Sequence, residues 1–86
     1  MGYPRISVRS QLRTLDGMIK SEMHVMSIYE VTAWSDRYEL STCLAALWHL
    51  CRRGAVVKVW NGKWVITEAG RVWWSIEQGR KVRRRR

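Results

Sequence analysis

Phenylalanine is absent from this 86-residue chain, and proline occurs once, as Pro4. Bulky apolar volume therefore falls on six tryptophans, so a core or a contact surface must be built largely from indole. No apolar run approaches the roughly 18 residues of a membrane-spanning helix. The opening MGYPRISVRSQ lacks the apolar block of a signal peptide, so neither membrane insertion nor secretion is expected. Cysteine is scarce too. Cys43 and Cys51 fall eight residues apart on one helical pattern, which separates their Cα atoms by roughly 12 Å. That is too far for a disulfide, and both read as small buried apolar side chains of a cytoplasmic, reducing compartment.

Acids number seven against 16 basic residues. Glu30, Asp36 and Glu39 fall at expected helix starts, and the others are scattered. There is no glycine-rich phosphate loop, and no serine or cysteine stands beside an obvious base, so the chain does not read as an enzyme. His24 and His49 form no Cys-x-x-Cys or His-x3-His spacing with each other or with the cysteines, so neither a metal nor another cofactor is expected.

What is present is helical and strand periodicity in a definite order. Val8, Leu12, Leu15 and Ile19 form one helical stripe behind Ser7 as N-cap, with Arg9, Arg13 and Asp16 on the solvated side and Gly17 weakening the helix. Met23 to Met26 suits a brief edge strand. Ser27-x-x-Glu30 then has capping-box spacing for a short helix that buries Ile28, Val31 and Trp34. Asp36-x-x-Glu39 opens a third helix with Leu40, Cys43, Leu47 and Leu50 inward. Arg52 and Arg53 close it, and Gly54 supplies the left-handed stop.

Asn61-Gly62 then marks a two-residue type I′ hairpin turn. In that register Trp60 faces Lys63, Val59 faces Trp64 and Val57 faces Ile66. Val57, Val59, Trp64 and Ile66 share the inner face, while Lys58, Trp60, Lys63 and Val65 share the outer one. Thr67-x-x-Gly70 opens a fourth helix with Ala69, Val72, Trp73 and Ile76 inward, Trp74 partly exposed and Gly79 as its end.

Helix, hairpin and helix in this order, preceded by two more helices, resemble the winged helix-turn-helix superfamily of DNA-binding domains, of the small bacterial or phage regulator type. The run Leu47-x-x-Leu50-x-x-x-Gly54-x-Val56, the short wing and Ile66-Thr67-x-x-Gly70 carry the likeness. It implies an α+β fold over residues 1–79, a three-helix core with a β-hairpin wing and a C-terminal fourth helix. Residues 80–86 are left as a disordered basic arm. In such domains the third helix enters the major groove. The resemblance thus puts Arg37, Tyr38, Ser41, Thr42, Ala45, Ala46 and His49 toward bases, and Lys58, Asn61 and Lys63 toward phosphates. It also implies a transcriptional regulator of the cytoplasm or nucleoid, with a homodimer through the terminal helix and Trp74 as an alternative to simple partial burial.

The charge is uneven. Arg80, Lys81, Arg83, Arg84, Arg85 and Arg86 put six of the 16 basic groups in the last seven residues, and the remaining body carries a net of +3. All six on a duplex would steepen the dependence of log affinity on log salt by roughly five. The third helix has no Arg, Lys, Asn or Gln between Glu39 and His49. This neutrality keeps two other readings open: a protein-interaction module on the same scaffold, acting as inhibitor or adaptor, or an RNA-binding protein. Trp60 is expected either to meet a base or a partner at the wing tip or to fold back on Trp48 or Trp73.

Overall fold

A computed structural model describes residues 5–35 and 38–84, the last four of these as backbone only. Among the described residues, four helices and one two-stranded antiparallel hairpin form an α+β architecture. The order is α1 (Val8–Ser21), α2 (Ile28–Ser35), α3 (Leu40–Arg52), β1 (Val56–Val59), a 3-10 turn (Trp60–Gly62), β2 (Lys63–Ile66) and α4 (Glu68–Arg84). This order is compatible with a winged-helix-like layout. Among the described residues, no helix is long and apolar enough to cross a membrane.

Local chemistry sets most of the helix ends. Ser7 Oγ accepts from the Ser10 N–H at 3.1 Å, capping α1. At α2 the capping box closes both ways: the Ser27 N–H donates to Glu30 Oε1 at 2.8 Å, and the Glu30 N–H donates to Ser27 Oγ at 3.3 Å. The Ser27 N–H holds the Glu30 carboxyl below its ordinary pKa, helped by the Ser27 hydroxyl and by the charge of Lys63. α3 begins at Leu40 behind Glu39, which makes no side-chain cap, and Asp36 lies outside the described residues. Its end follows expectation, with Gly54 left-handed at φ 81° and the Ala55 N–H returning to the Leu50 carbonyl at 2.8 Å.

A less expected left-handed residue is Glu22, at φ 59°, which ends α1. A side chain with a Cβ is strained there and glycine is not. Glu22→Gly is therefore expected to raise stability by roughly 0.5–1 kcal/mol, read as a higher urea midpoint at unchanged slope.

The helix faces differ from a reading based on apolar residues alone. On α1 the inward side is Gln11, Thr14, Leu15 and Met18, and Val8 is exposed. Gly17 sits at the crossing with α2, where an added Cβ would lie 2.8 Å from the Trp34 carbonyl oxygen. That glycine sets how closely the two helices approach, rather than merely weakening α1. Val31 is buried on α2, but Trp34 is 48% exposed, because close backbone contact occurs where its bulk would otherwise pack. α3 is enclosed on more sides than one stripe requires: Cys43, Ala45, Ala46, Leu47 and Leu50 are all buried, whereas Leu40 at its start is exposed.

α4 departs furthest. Its inward side is Gly70, Trp73, Trp74 and Glu77, while Ala69, Val72 and Ile76 face outward. Gly70 explains this: a Cβ there would collide with the Ala55 carbonyl oxygen, so α4 makes its closest approach through the one residue without a side chain. The helix also runs past Gly79 to Arg84, so its end is not where the glycine suggested, and 80–84 continue α4.

The hairpin is shifted by one residue. Observed partners are Val56 with Ile66, Val57 with Val65, Lys58 with Trp64 and Val59 with Lys63. Asn61 and Gly62 do adopt left-handed backbone, at φ 67° and 68°. Trp60 joins them, however, making a three-residue loop. Because side chains alternate along a strand, a slip of one residue exchanges the faces of β1. Val56 is consequently buried and Val57 exposed. The edge strand expected at Met23 to Met26 is reduced to one bridge, in which Met26 and Trp64 exchange backbone bonds of 3.0 and 2.8 Å.

Core packing converges on Trp64, which is 1% exposed and joins Leu15, Met18, Met26, Leu47 and Val56 in a single cluster.

Candidate nucleic-acid interface

The slipped register decides what the hairpin presents. Lys58 lies on the same strand face as Trp64, and its ammonium stands 5.1 Å from the Trp48 ring centroid and 5.9 Å from that of Trp64. Trp48 projects from α3 and meets Trp64 edge to face, with centroids 5.0 Å apart at 84°. A lysine over indole is attracted by the ring quadrupole while its exposed head stays hydrated. The pairing fixes the Lys58 charge above α3, so α3 and the hairpin share one surface. The sequence alone puts Lys58 on the outer face and offers Trp48 only as a rest for Trp60. A lysine six residues before a buried tryptophan was the available signal, but only the register reveals their pairing.

Farther along the hairpin, Asn61 is exposed at the turn and Trp60 is 81% exposed. Trp60 does not fold back on Trp48 or Trp73. Trp48 is engaged by Trp64 and Lys58, and Trp73 carries the Arg53 guanidinium 4.2 Å from its centroid. Lys63 is half-buried on β2, close enough to influence Glu30.

On α3, Ser41 is exposed, and Thr42 and His49 are half-buried. Ala45 is 3% exposed and Ala46 fully buried, so neither methyl is offered to a base. Both are short enough to sit below the level of the larger side chains around them, which corrects their placement on a contact face. Tyr38, before α3, packs partly against the core rather than standing free. Arg37, Arg85 and Arg86 lie outside the described residues, as do the side chains of Lys81, Arg83 and Arg84.

Two further residues have structural partners. Arg80 is exposed and bonds Glu77 at 3.2 Å along α4. Trp74 leans on the core, and its indole N–H donates to Asp16 Oδ1 at 3.1 Å, fastening α4 to α1. Asp16, expected to be solvated, also pairs with Lys20 at 3.0 Å.

Both cysteines are free thiols, Cys43 buried and Cys51 half-buried. Among the described residues, no three His, Cys, Asp or Glu side chains converge as metal ligands would. No family model, curated protein or solved structure matches the chain.

Proposed function

We propose that this chain binds double-stranded DNA as a winged helix-turn-helix domain, acting as a small transcriptional regulator. The observation that carries this reading is the Lys58 ammonium stacked on Trp48, which joins the hairpin and α3 in one surface with a fixed cation at its seam. In the proposed complex the N-terminal part of α3 enters the major groove with Ser41 and Thr42 toward base edges. Lys58 and Lys63 rest on flanking phosphates. Hydroxyls bond several bases about equally, so affinity comes mainly from phosphate contacts and sequence preference is modest.

Anisotropy titrations of the Lys58→Ala, Lys63→Ala double variant against several unrelated duplexes test this. Affinity is expected to fall evenly for all of them, and the slope of log affinity against log salt to flatten by about 2. Unchanged affinity and slope would remove the hairpin from the interface.

One observation favours a second reading, a protein-interaction module: Trp60 at 81% and Tyr29 at 72% are large rings left in water. A Trp60→Ala protein that binds duplex normally but loses a protein partner would select it.

A further inference from the structure

Away from the Lys58 seam, α1 and α4 enclose a groove of ≈ 710 Å³. Its walls include Arg9, Arg13 and Lys20 of α1 and Arg80 of α4, with Val8 and Leu12 between the charges. Its two acids are already committed. Asp16 holds Lys20 and the Trp74 indole, and Glu77 holds Arg80. Arg9 and Arg13 are exposed, one helical turn apart, and have no acidic partner among the described residues. Like charges at that spacing on a helix repel rather than stabilise it. Folding therefore does not account for the pair, whereas a polyanion would.

The groove also faces away from the first surface. At 100° per residue, Arg9 and Arg13 lie on the side of α1 opposite Gln11, Leu15 and Met18, which point inward. α1 and α3 pack together through their inward sides, tied at one end by Arg53 Nε donating to Gln11 Oε1 at 3.1 Å. The outward sides of the two helices consequently look in different directions. Beyond Arg80, the sequence adds Lys81, Arg83 and Arg84 to the same helix, at the terminus where cations favour the helix dipole.

We propose that the α1–α4 groove is a second site for a duplex phosphate backbone, held by Arg9 and Arg13, so that one molecule grips two duplex segments. The inference rests on the duplex-binding reading above. Guanidinium groups suit it because they stay charged at all working pH values and bond phosphate oxygens in pairs. The groove contributes no sequence readout, only a hold on backbone.

The test uses the full chain, a biotinylated duplex on beads and an unrelated fluorescent duplex in solution. Wild-type protein is expected to bring the fluorescent duplex to the beads. Arg9→Ala, Arg13→Ala is expected to lose most of this co-capture, roughly tenfold, while its affinity for a single duplex in anisotropy changes much less. Both side chains are exposed and, among the described residues, without acidic partners, so folding should persist, and a circular-dichroism melt checks it.

Co-capture that survives the double variant overturns the groove, as does wild-type protein that binds one duplex and never two. In either case the Lys58 and Lys63 titrations still decide the first site. Single-duplex binding lost with Arg9 and Arg13 but indifferent to Lys58 and Lys63 would keep the groove and remove the α3–hairpin site. Protein that binds no duplex removes both.

Discussion

Trp64→Ala is expected to cost about 3–5 kcal/mol, the range for removing a large buried aromatic. Trp64 is 1% exposed, pairs with Lys58 across the sheet, bridges Met26 through both backbone groups and meets Trp48 edge to face. Its loss leaves a cavity where the hairpin, the Met26 segment and α3 converge, and it removes an aromatic pair that adds roughly 0.5–1.5 kcal/mol. Domains of this size hold roughly 5–10 kcal/mol in all, so most of the folding free energy is at stake. A thermal melt should show the midpoint falling by about 15–30 °C. The contrast is Trp60→Ala, where the ring is already in water and stability should stay within about 0.5 kcal/mol. A Trp64→Ala loss below about 1 kcal/mol would mean that the hairpin is not pinned by this residue.

Glycine-to-alanine changes in α4 are expected to have opposite signs at two positions. Alanine normally strengthens a helix interior by about 1 kcal/mol over glycine. At Gly79 nothing among the described residues lies within 4 Å of the added methyl, so Gly79→Ala should deliver that gain. At Gly70 the methyl meets the backbone oxygen of Ala55, which has no rotamer by which to move aside. The helix must then lift from the α3–β1 junction, withdrawing Trp73 and Trp74 from the core they cover. Gly70→Ala is expected to cost about 3 kcal/mol net, near the upper end for overpacking. Paired urea titrations of the two variants check the signs. A stabilising Gly70→Ala would show that α4 does not approach Ala55 closely, and a destabilising Gly79→Ala would show that the helix stops there.

Four helix-end signals were legible in the sequence because each is decided within a few residues, whereas Glu39 of the Asp36-x-x-Glu39 box makes no side-chain cap. Ser7, Ser27 with Glu30, Thr67 with Gly70, and Gly54 all do locally what their side chains or their freedom at positive φ permit. The α+β class followed from that punctuation together with the Asn61-Gly62 turn. What escaped depends on partners distant in sequence. One extra loop residue, Trp60, exchanged the faces of β1, and no local preference distinguishes loops of two and three residues there. Apolar periodicity assigned Val72 and Ile76 to the core of α4, since a glycine carries no hydrophobic signal even where it is the point of closest packing. The candidate surface was harder still. Ala45 was misplaced because burial of a methyl depends on taller neighbours, and the Lys58–Trp48 pair exists only in the observed register. Arg9 and Arg13 were visible as outward charges, but not as one wall of a groove with Arg80 as the other.

The base of the hairpin is closed twice by one residue. Thr67 donates its backbone N–H to the Ala55 carbonyl at 3.0 Å and its hydroxyl to the Gly54 carbonyl at 2.6 Å, while the same hydroxyl receives the Gly70 N–H. The two ends of the excursion from Gly54 to Thr67 are thus joined to each other and to the start of α4. Chain added at the tip changes only the length of an already closed loop, a cost that grows slowly with length. Evolution or an engineer can lengthen, shorten or recode the segment around Trp60 and Asn61 as an interchangeable finger, while the knuckle beneath it keeps its place.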